Sequence, residues 1–455
     1  MEINEKIFRE YDIRGIYGTD LTKKFAYIFG QAFGSYIQRN DHYRVIIGHD
    51  NRLSSPELYE GLMEGLLKTG VDVADLGLVT TPMYYYAKKL YNVDDGIMVT
   101  ASHNPKEYNG FKISFDKIGN AYGEKIQDFK KFLLKGEFLT GEGEVTKIDI
   151  KEDYIALIKR SLSLGFRKVK VVVDCGGGTA SIIIKDILDR LGITYYPLYC
   201  DSDPEFSNHH PDPSVPENMK ALKEKVLELG YHLGIAFDGD ADRVGLVDEL
   251  GNILQADMIM DLFYRDLKDK MIEKKAICDV ICSNALIWDL EKMGYAVLMY
   301  RTGNSYMNAK INQDKYTFGG EFSGHLWFKD RFLGFDDGIY AGLRLIELVS
   351  NTDRNISELL DGVQKLENTK EIKVKVTDES KFKIVEYVKA YALAKGYSIS
   401  TIDGVRVKFP DGFARVRASN TGPDLTVRFE ARTKERLHEI KEEFRLVIKK
   451  YIETH

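Results

Sequence analysis

The sequence is short of cysteine, of long apolar runs and of excess positive charge. Among 455 residues there are four cysteines, Cys175, Cys200, Cys278 and Cys282, too few and too scattered for a disulfide framework. The spacing of Cys278 and Cys282 does not suit a metal knuckle and no second pair follows, so both are expected as buried strand cysteines. No stretch is apolar for long enough to cross a bilayer, and residues 1–10 hold only Ile3, Ile7 and Phe8 among charges, without the apolar core of a signal peptide. A formal net charge of −6 speaks against a chain that binds nucleic acid mainly through charge, while leaving room for a local basic pocket for a small phosphorylated ligand. The expectation is a cytoplasmic protein, monomeric or a small homo-oligomer, with neither membrane nor nucleic acid as partner.

What is present is a multidomain enzyme's composition. Hydrophobic residues at 44% and charged residues at 29% fit an ordered globular chain, and its length exceeds what one core serves. A β-branched run, a turn, a helical pattern and a second short strand recur three times: 45–47, the helix from Pro56, 71–76; 169–173, 181–191, 194–198; and 276–281, 286–293, 296–300. Such alternation predicts α/β units with parallel sheets covered on both faces. The last ninety or so residues change character, with strands 371–376, 404–409, 414–418 and 425–431 and helices 380–394 and 434–451. Pro410-Asp411-Gly412 reads as a turn in which glycine takes the strained position. The fold class expected is α/β, three related units with mixed or parallel sheets plus a smaller C-terminal α+β domain around a central cleft, divided as 1–148, 149–253, 254–367 and 368–455.

Four loops carry chemistry. In Asp238-Gly239-Asp240-Ala241-Asp242-Arg243, carboxylates at alternate positions can face one side, where only a shared cation offsets their repulsion, and hard oxygen ligands favour magnesium or calcium. An EF-hand has Glu249 at its twelfth position in its favour, but Arg243 stands where that loop needs glycine and the flanks look like strands. A solvated acidic turn is the other rival; Arg243, suited to a phosphoryl group beside the cation, tilts against it. In Thr100-Ala101-Ser102-His103-Asn104-Pro105, small residues after an apolar strand expose a hydroxyl and free N–H groups, fit for a nucleophile or phosphate carrier, although a helix cap would look similar. Adjacent side chains in an extended loop diverge, so His103 is expected to shape the loop rather than pair with Ser102. Gly319-Gly320-Glu321-Phe322-Ser323-Gly324-His325 mixes donors and acceptors as a polyol requires, or is a glycine-rich turn with a capping glutamate. Arg417-Ala418-Ser419-Asn420-Thr421-Gly422 has the composition of an anion nest, or of a solvated hairpin end. Jointly, a cation site, a tight-loop hydroxyl, a polyol loop and an anion nest describe the handling of a phosphosugar.

These loops, in this order, together with Phe8-Arg9-Glu10-Tyr11-Asp12-Ile13-Arg14-Gly15, resemble the α-D-phosphohexomutases, most of all the bacterial phosphomannomutase/phosphoglucomutase branch, over almost the whole chain. The resemblance implies a phosphoserine at Ser102, magnesium ligands at Asp238, Asp240 and Asp242 with a phosphoserine oxygen completing the shell, and Arg14, Lys112 and Arg243 around the transferring group, with His103 in the same loop. It further implies sugar contacts from Tyr11, Glu321, Ser323 and His325, and a loop of Arg417, Ser419, Asn420 and Thr421 for the phosphate that does not react. The implied reaction passes the phosphoryl group from Ser102 to a hexose monophosphate. The resulting hexose 1,6-bisphosphate, also the activator, turns round and returns its other phosphate, which calls for a roomy cleft and movement of the last domain.

Two positions depart from that branch. Asn304 stands where histidine is usual and Ile281 where lysine is usual, each worth about 1–3 kcal/mol of substrate binding on the scale of hydrogen bonds to charged groups. They leave open a sugar-phosphate-binding relative with weakened catalysis. A phosphoglucosamine mutase is a third reading, although glutamine is typical there where this chain has Phe322.

Overall fold

In the computed structural model, which describes residues 3–117, 119–419 and 423–454, the chain forms four sheets in sequence order. The first three share one plan. Three parallel strands are followed by one antiparallel strand joined as a hairpin to the last parallel strand. In the first sheet the parallel strands are Arg44–His49, Asp72–Leu78 and Asp95–Val99, and the antiparallel one is Tyr108–Phe115. The second uses Lys170–Asp174, Thr194–Leu198 and Leu233–Phe237 with Val244–Asp248, and the third Lys275–Asp279, Ala296–Tyr300 and Phe318–Gly320 with Leu326–Phe328. The repeat read from β-branched runs is therefore present, and the sheets are mixed because each unit ends on that hairpin. Strand Ile13–Ile16 adds to the first sheet beside Tyr108–Phe115. The fourth sheet is antiparallel throughout, built on Val405–Phe409, Gly412–Ala418 and Asp424–Ala431, and is covered by helices Ser380–Ala394 and Lys434–Thr454.

Apolar packing divides the molecule into three main cores. One continuous core threads the first three sheets, including Ile46, Tyr84, Val171, Ile235, Ile259 and Phe318. The outer face of the first sheet has its own aromatic core, in which Phe29 stacks on Phe111 at 4.6 Å between ring centres. The fourth sheet has a separate core that includes Ile440, Phe444 and Val447, the helical stripe expected from the sequence. It meets the third sheet through Arg406, donating to Cys282 O at 2.9 Å, and Arg428, donating to Ile281 O at 2.7 Å. Arginine–carbonyl contacts are easier to exchange with water than a fused apolar core.

Three local expectations need correction. Gly412 does not take a left-handed turn position: it is a strand residue paired with Phe409, and glycine is needed because a Cβ there would lie 2.0 Å from Glu430 O. The strand expected over 276–281 ends at Asp279, so Cys278 is a buried strand cysteine while Cys282, also buried, lies in the turn beyond. The helix expected over 181–191 begins with a 3₁₀ turn, Thr179–Ile182, before Ile184–Leu191. Among the described residues no helix is long and apolar enough to cross a membrane.

Candidate active site

The shared plan places the chemistry. In each of the first three units the singled-out loop is the hairpin between the last parallel strand and its antiparallel neighbour: residues 100–107, 238–243 and 321–325. Loops on equivalent edges of three packed units converge. A cavity of about 110 Å³ is lined by Tyr11, Arg14, Ser102, Lys112, Arg243, Glu321, Ser323 and His325, all expected site residues, among others. A wider cleft of about 490 Å³ adjoins it through Ser323 and runs past Phe322, Ile281 and Arg428 towards the fourth sheet.

Ser102 is buried with φ of 52°, a left-handed conformation uncommon for a residue bearing a Cβ. Its Oγ lies 2.9 Å from Asp238 Oδ2 and 3.1 Å from His103 Nδ1. The expected divergence of Ser102 and His103 is thus overturned, since the left-handed residue turns the chain so that neighbouring side chains meet. Burial, then the charges of Arg243 and Arg14, push the His103 pKa well down, so the ring is neutral near pH 7.

Sequence reasoning missed the group that holds this loop. The fully buried Arg52 guanidinium donates to the carbonyls of Ser102 and Asn104 at 2.7 Å each, of Pro105 at 2.8 Å and of Tyr108 at 3.2 Å, while its Nε meets Asp50 Oδ2 at 3.2 Å. No local signal in Asn51-Arg52-Leu53 announces that role. The other side of the Ser102 peptide is set by Gly239 of the acidic loop, where a Cβ would lie 2.4 Å from Ser102 O.

Asp238, Asp240 and Asp242 are fully buried, and one oxygen from each lies within 4.8 Å of the others. Lys112 Nζ bonds Asp240 Oδ2 and Asp242 Oδ2 at 2.6 Å each, and Arg243 Nε stands 3.8 Å from Asp238 Oδ2. Thr81, also missed, donates its hydroxyl to Asp240 Oδ2 at 2.7 Å and its amide N–H to the Asp240 carbonyl at 3.0 Å. Burial, reinforced by Asp242 and Asp240, raises the Asp238 pKa far above the carboxylate range. For Asp240 burial acts in the same direction, but the Lys112 ammonium outweighs it and the pKa falls. Lys112 is itself raised: its burial opposes the charge, and Asp240 and Asp242 prevail. Three carboxylates face two cations, and Asp240 Oδ1 and Asp242 Oδ1 are buried without a hydrogen-bond partner. A hard divalent cation fits this donor set. Glu249, which gave the EF-hand its twelfth ligand, instead bonds the Ser357 hydroxyl.

Arg14 pairs with Asp12 at 2.7 Å and donates to Asn104 Oδ1 at 2.6 Å, which ties the N-terminal strand to the serine loop. In the third loop Glu321 is buried, accepts from Gly303 N at 2.6 Å and has Ser323 Oγ at 3.4 Å. Burial is the main cause that raises its pKa to about 7, His325 opposing and Asp279 assisting. His325 Nε2 accepts from Arg243 Nε at 2.9 Å, and its Nδ1 lies 2.9 Å from Asp336 Oδ2. Asn304, at the start of helix Asn304–Gln313, bonds Asp336 and reaches His325 Nδ1 at 3.2 Å. Asp336 gave no sequence signal. Burial, aided by Asp12, raises the Tyr11 pKa. In the fourth unit Arg417 Nε is paired with Asp403 at 2.8 Å, and the buried Ser419 bonds through its amide to Asp424 O at 2.9 Å. Neither lines the cavity around Ser102. Asn420 and Thr421 lie outside the described residues.

The site therefore sets a buried serine hydroxyl against an acidic cluster that could hold a metal ion, rimmed by cations and by the Glu321, Ser323 and His325 side chains. Comparison with known proteins agrees. The descriptions "Phosphoglucomutase/phosphomannomutase, alpha/beta/alpha domain" I, II and III match residues 5–137, 152–251 and 255–366, and the C-terminal domain of the same description matches 371–447. The chain is 42% identical to a phosphomannomutase/phosphoglucomutase of Pseudomonas aeruginosa, over 97% of this chain and 95% of that one, and 39% identical to a phosphoglucomutase of Neisseria gonorrhoeae, over 98% and 97%. A crystal structure of a phosphoglucomutase/phosphomannomutase family protein from Burkholderia thailandensis superposes with a TM-score of 0.92 at 37% identity, covering 98% of each chain. The chain belongs to the phosphoglucomutase/phosphomannomutase family.

Proposed function

We propose that this protein is a phosphohexose mutase acting as a phosphomannomutase/phosphoglucomutase in the cytoplasm. It interconverts hexose 1-phosphate and hexose 6-phosphate through phospho-Ser102 and a hexose 1,6-bisphosphate. The observation that carries this reading is the junction of two units at one point: Ser102 Oγ lies 2.9 Å from Asp238 Oδ2, while Lys112, from the serine's own sheet, bonds Asp240 and Asp242.

Each residue then has a task in this reading. Ser102 carries the phosphoryl group, its carbonyl fixed by Arg52. Arg14 and Lys112 flank the group in transfer, and Arg243, steadied by His325, adds a third cation. A magnesium ion held by Asp238, Asp240 and Asp242 would neutralise charge on the phosphoryl oxygens, the main requirement of such transfer. Glu321 and Ser323 receive sugar hydroxyls, and a carboxyl titrating near neutrality can accept or donate. Tyr11 lines the cavity, and Arg417, Ser419, Asn420 and Thr421, assigned by the family resemblance alone, hold the distal phosphate. The separate core of the fourth unit supports its movement while the bisphosphate turns. We also divide the chain at 148, 253 and 367, in keeping with the four sheets to within one residue: Leu254 still pairs in the second sheet and Glu367 already pairs in the fourth.

Ser102→Ala is expected to abolish turnover of hexose 1-phosphate in the presence of bisphosphate activator. Intact mass of the unaltered protein should show one added phosphate mapping to Ser102. An alanine variant with full activity would sink the proposal, and turnover of glucose, mannose and glucosamine phosphates side by side ranks the sugars.

A further inference from the structure

Outside this site the second unit holds a pair of thiols at the carboxyl ends of two adjacent parallel strands. Strands Lys170–Asp174 and Thr194–Leu198 pair so that Asp174 faces Leu198. Cys175 follows the first and Cys200 lies two residues beyond the second, with their Sγ atoms 2.7 Å apart. Both are free and buried, Cys175 completely and Cys200 at 5% exposure. A disulfide needs about 2.05 Å between sulfurs, so the backbone has only to yield about 0.7 Å from the 2.7 Å observed. The loops that carry the two thiols are already stitched together: Gly177 N donates to Tyr199 O at 3.0 Å and Asp203 N to Gly177 O at 2.9 Å.

The two residues differ in exposure, and the Cys200 thiol faces the carbonyls of Val173 at 3.3 Å and Leu198 at 3.4 Å as well as Cys175. Cys200, with Lys185, Tyr199, Ser202 and Asn208, lines a surface cavity of about 320 Å³ large enough for a hydroperoxide. Cys175 lies behind it, where burial, added to its contact with Cys200, raises the thiol pKa well above the usual value. The loop after Cys175 also supports the acidic loop: Thr179 N and Oγ1 donate to Gly239 O at 2.9 and 3.1 Å. From the serine side, Asn51 Nδ2 donates to Gly177 O at 2.7 Å.

We propose that Cys175 and Cys200 are a reversible dithiol–disulfide site, oxidised by a hydroperoxide that enters beside Lys185, and that the crosslink clamps the loop beneath Gly239. Cys200 gives its proton to water in the cavity and, as thiolate, attacks the peroxide; the O–O bond breaks, Cys200 becomes the sulfenic acid, and the hydroxide released takes up that proton as the first water. The Cys175 sulfur then attacks that sulfur, the S–O bond breaks, and the Cys175 proton leaves with the hydroxyl as water. Overall two thiols lose two hydrogens and one hydrogen peroxide becomes two waters. Cys278 and Cys282 serve as internal controls, since both are fully buried and the Cys282 thiol donates to Asp279 Oδ1 at 3.0 Å.

The test treats the reduced full-length protein with hydrogen peroxide and reads intact mass, the unreduced peptide map and hydrogen exchange. A loss of two hydrogens, one linked peptide joining Cys175 to Cys200, slower exchange at Gly177 and Gly178, and reversal of all three by dithiothreitol are expected. In Cys175→Ser, Cys200 should stop as a sulfenic acid that dimedone traps; the mapping on the unaltered chain stands even if this variant does not fold. Four intact thiols at large peroxide excess, Cys200 driven to sulfinic acid without a link, or a link through Cys278 or Cys282 would each overturn the proposal.

Discussion

Arg52→Ala tests whether the serine loop is held by one side chain. Removing the guanidinium strips donors from the carbonyls of Ser102, Asn104, Pro105 and Tyr108 and leaves Asp50 with the Ser55 hydroxyl and the residue-52 amide. Each buried group left unpaired costs about 1–3 kcal/mol, and a broken buried charge pair about 3–5 kcal/mol. Water entering the space returns part of this, which sets a local loss of about 4 kcal/mol. The loop opens locally, so hydrogen exchange is the suitable assay: amides bonded within it, Asn104 N to Ala101 O and Tyr108 N to Pro105 O, should exchange about a thousandfold faster at 1.4 kcal/mol per decade. Displacing Ser102 by about 1 Å should also lower kcat by about a hundredfold. Arg52→Lys, which keeps the charge without the planar fork, should fall between. Exchange at these amides within a factor of about three of the unaltered protein, with kcat retained, would refute the reasoning.

Further outcomes follow from single contacts. Glu321, raised to about 7, is neutral below that pH and charged above it, so KM for the sugar phosphate should fall as pH rises from about 6 to 8. Glu321→Gln should flatten that component, measured against the unaltered enzyme so that titration of the substrate phosphate cancels. Asp261, buried in the third unit beside Asp289, has a pKa raised to about 8, mainly by burial. Its folded form holds the proton more tightly than the unfolded chain, so stability is full below the ordinary carboxylate range and is lost as pH climbs towards about 8, by up to about 1.4 kcal/mol per pH unit. Asp261→Asn should flatten the fall of melting temperature with pH across that window; an unchanged slope would count against the raised pKa. Gly239→Ala should cut kcat at least about tenfold with the fold intact by circular dichroism, because its Cβ would meet Ser102 O at 2.4 Å in a loop that Arg52 keeps from yielding. Asn304→Ala should lower kcat/KM by about tenfold, the loss of one hydrogen bond to a charged group, by freeing Asp336 and His325.

The sequence made the reacting groups legible but not what supports them, and the two differ in how far apart along the chain their determinants lie. Asp238, Asp240 and Asp242 sit within five residues, so their capacity to share a cation can be read without a fold. The same holds for Glu321 and Ser323. Arg52 stands fifty residues before Ser102, Thr81 lies far from Asp240, and Asp336 reaches His325 from beyond the next strand. Their functions exist only after the sheets pack, and in isolation each resembles an ordinary surface residue. The β-branched runs gave the parallel strands because period and composition are local, whereas the closing hairpin of each unit was read only as flanks of a loop. Those hairpins decide where the chemistry goes. Because Ser102, Asp238 and Glu321 all follow the last parallel strand of their sheets, packing three similar units about one cleft brings the loops together without a special contact for each pair. The fourth unit, with no parallel strands among the described residues and its own core, walls the adjoining cleft through Glu371 and Arg428 without taking part in that convergence.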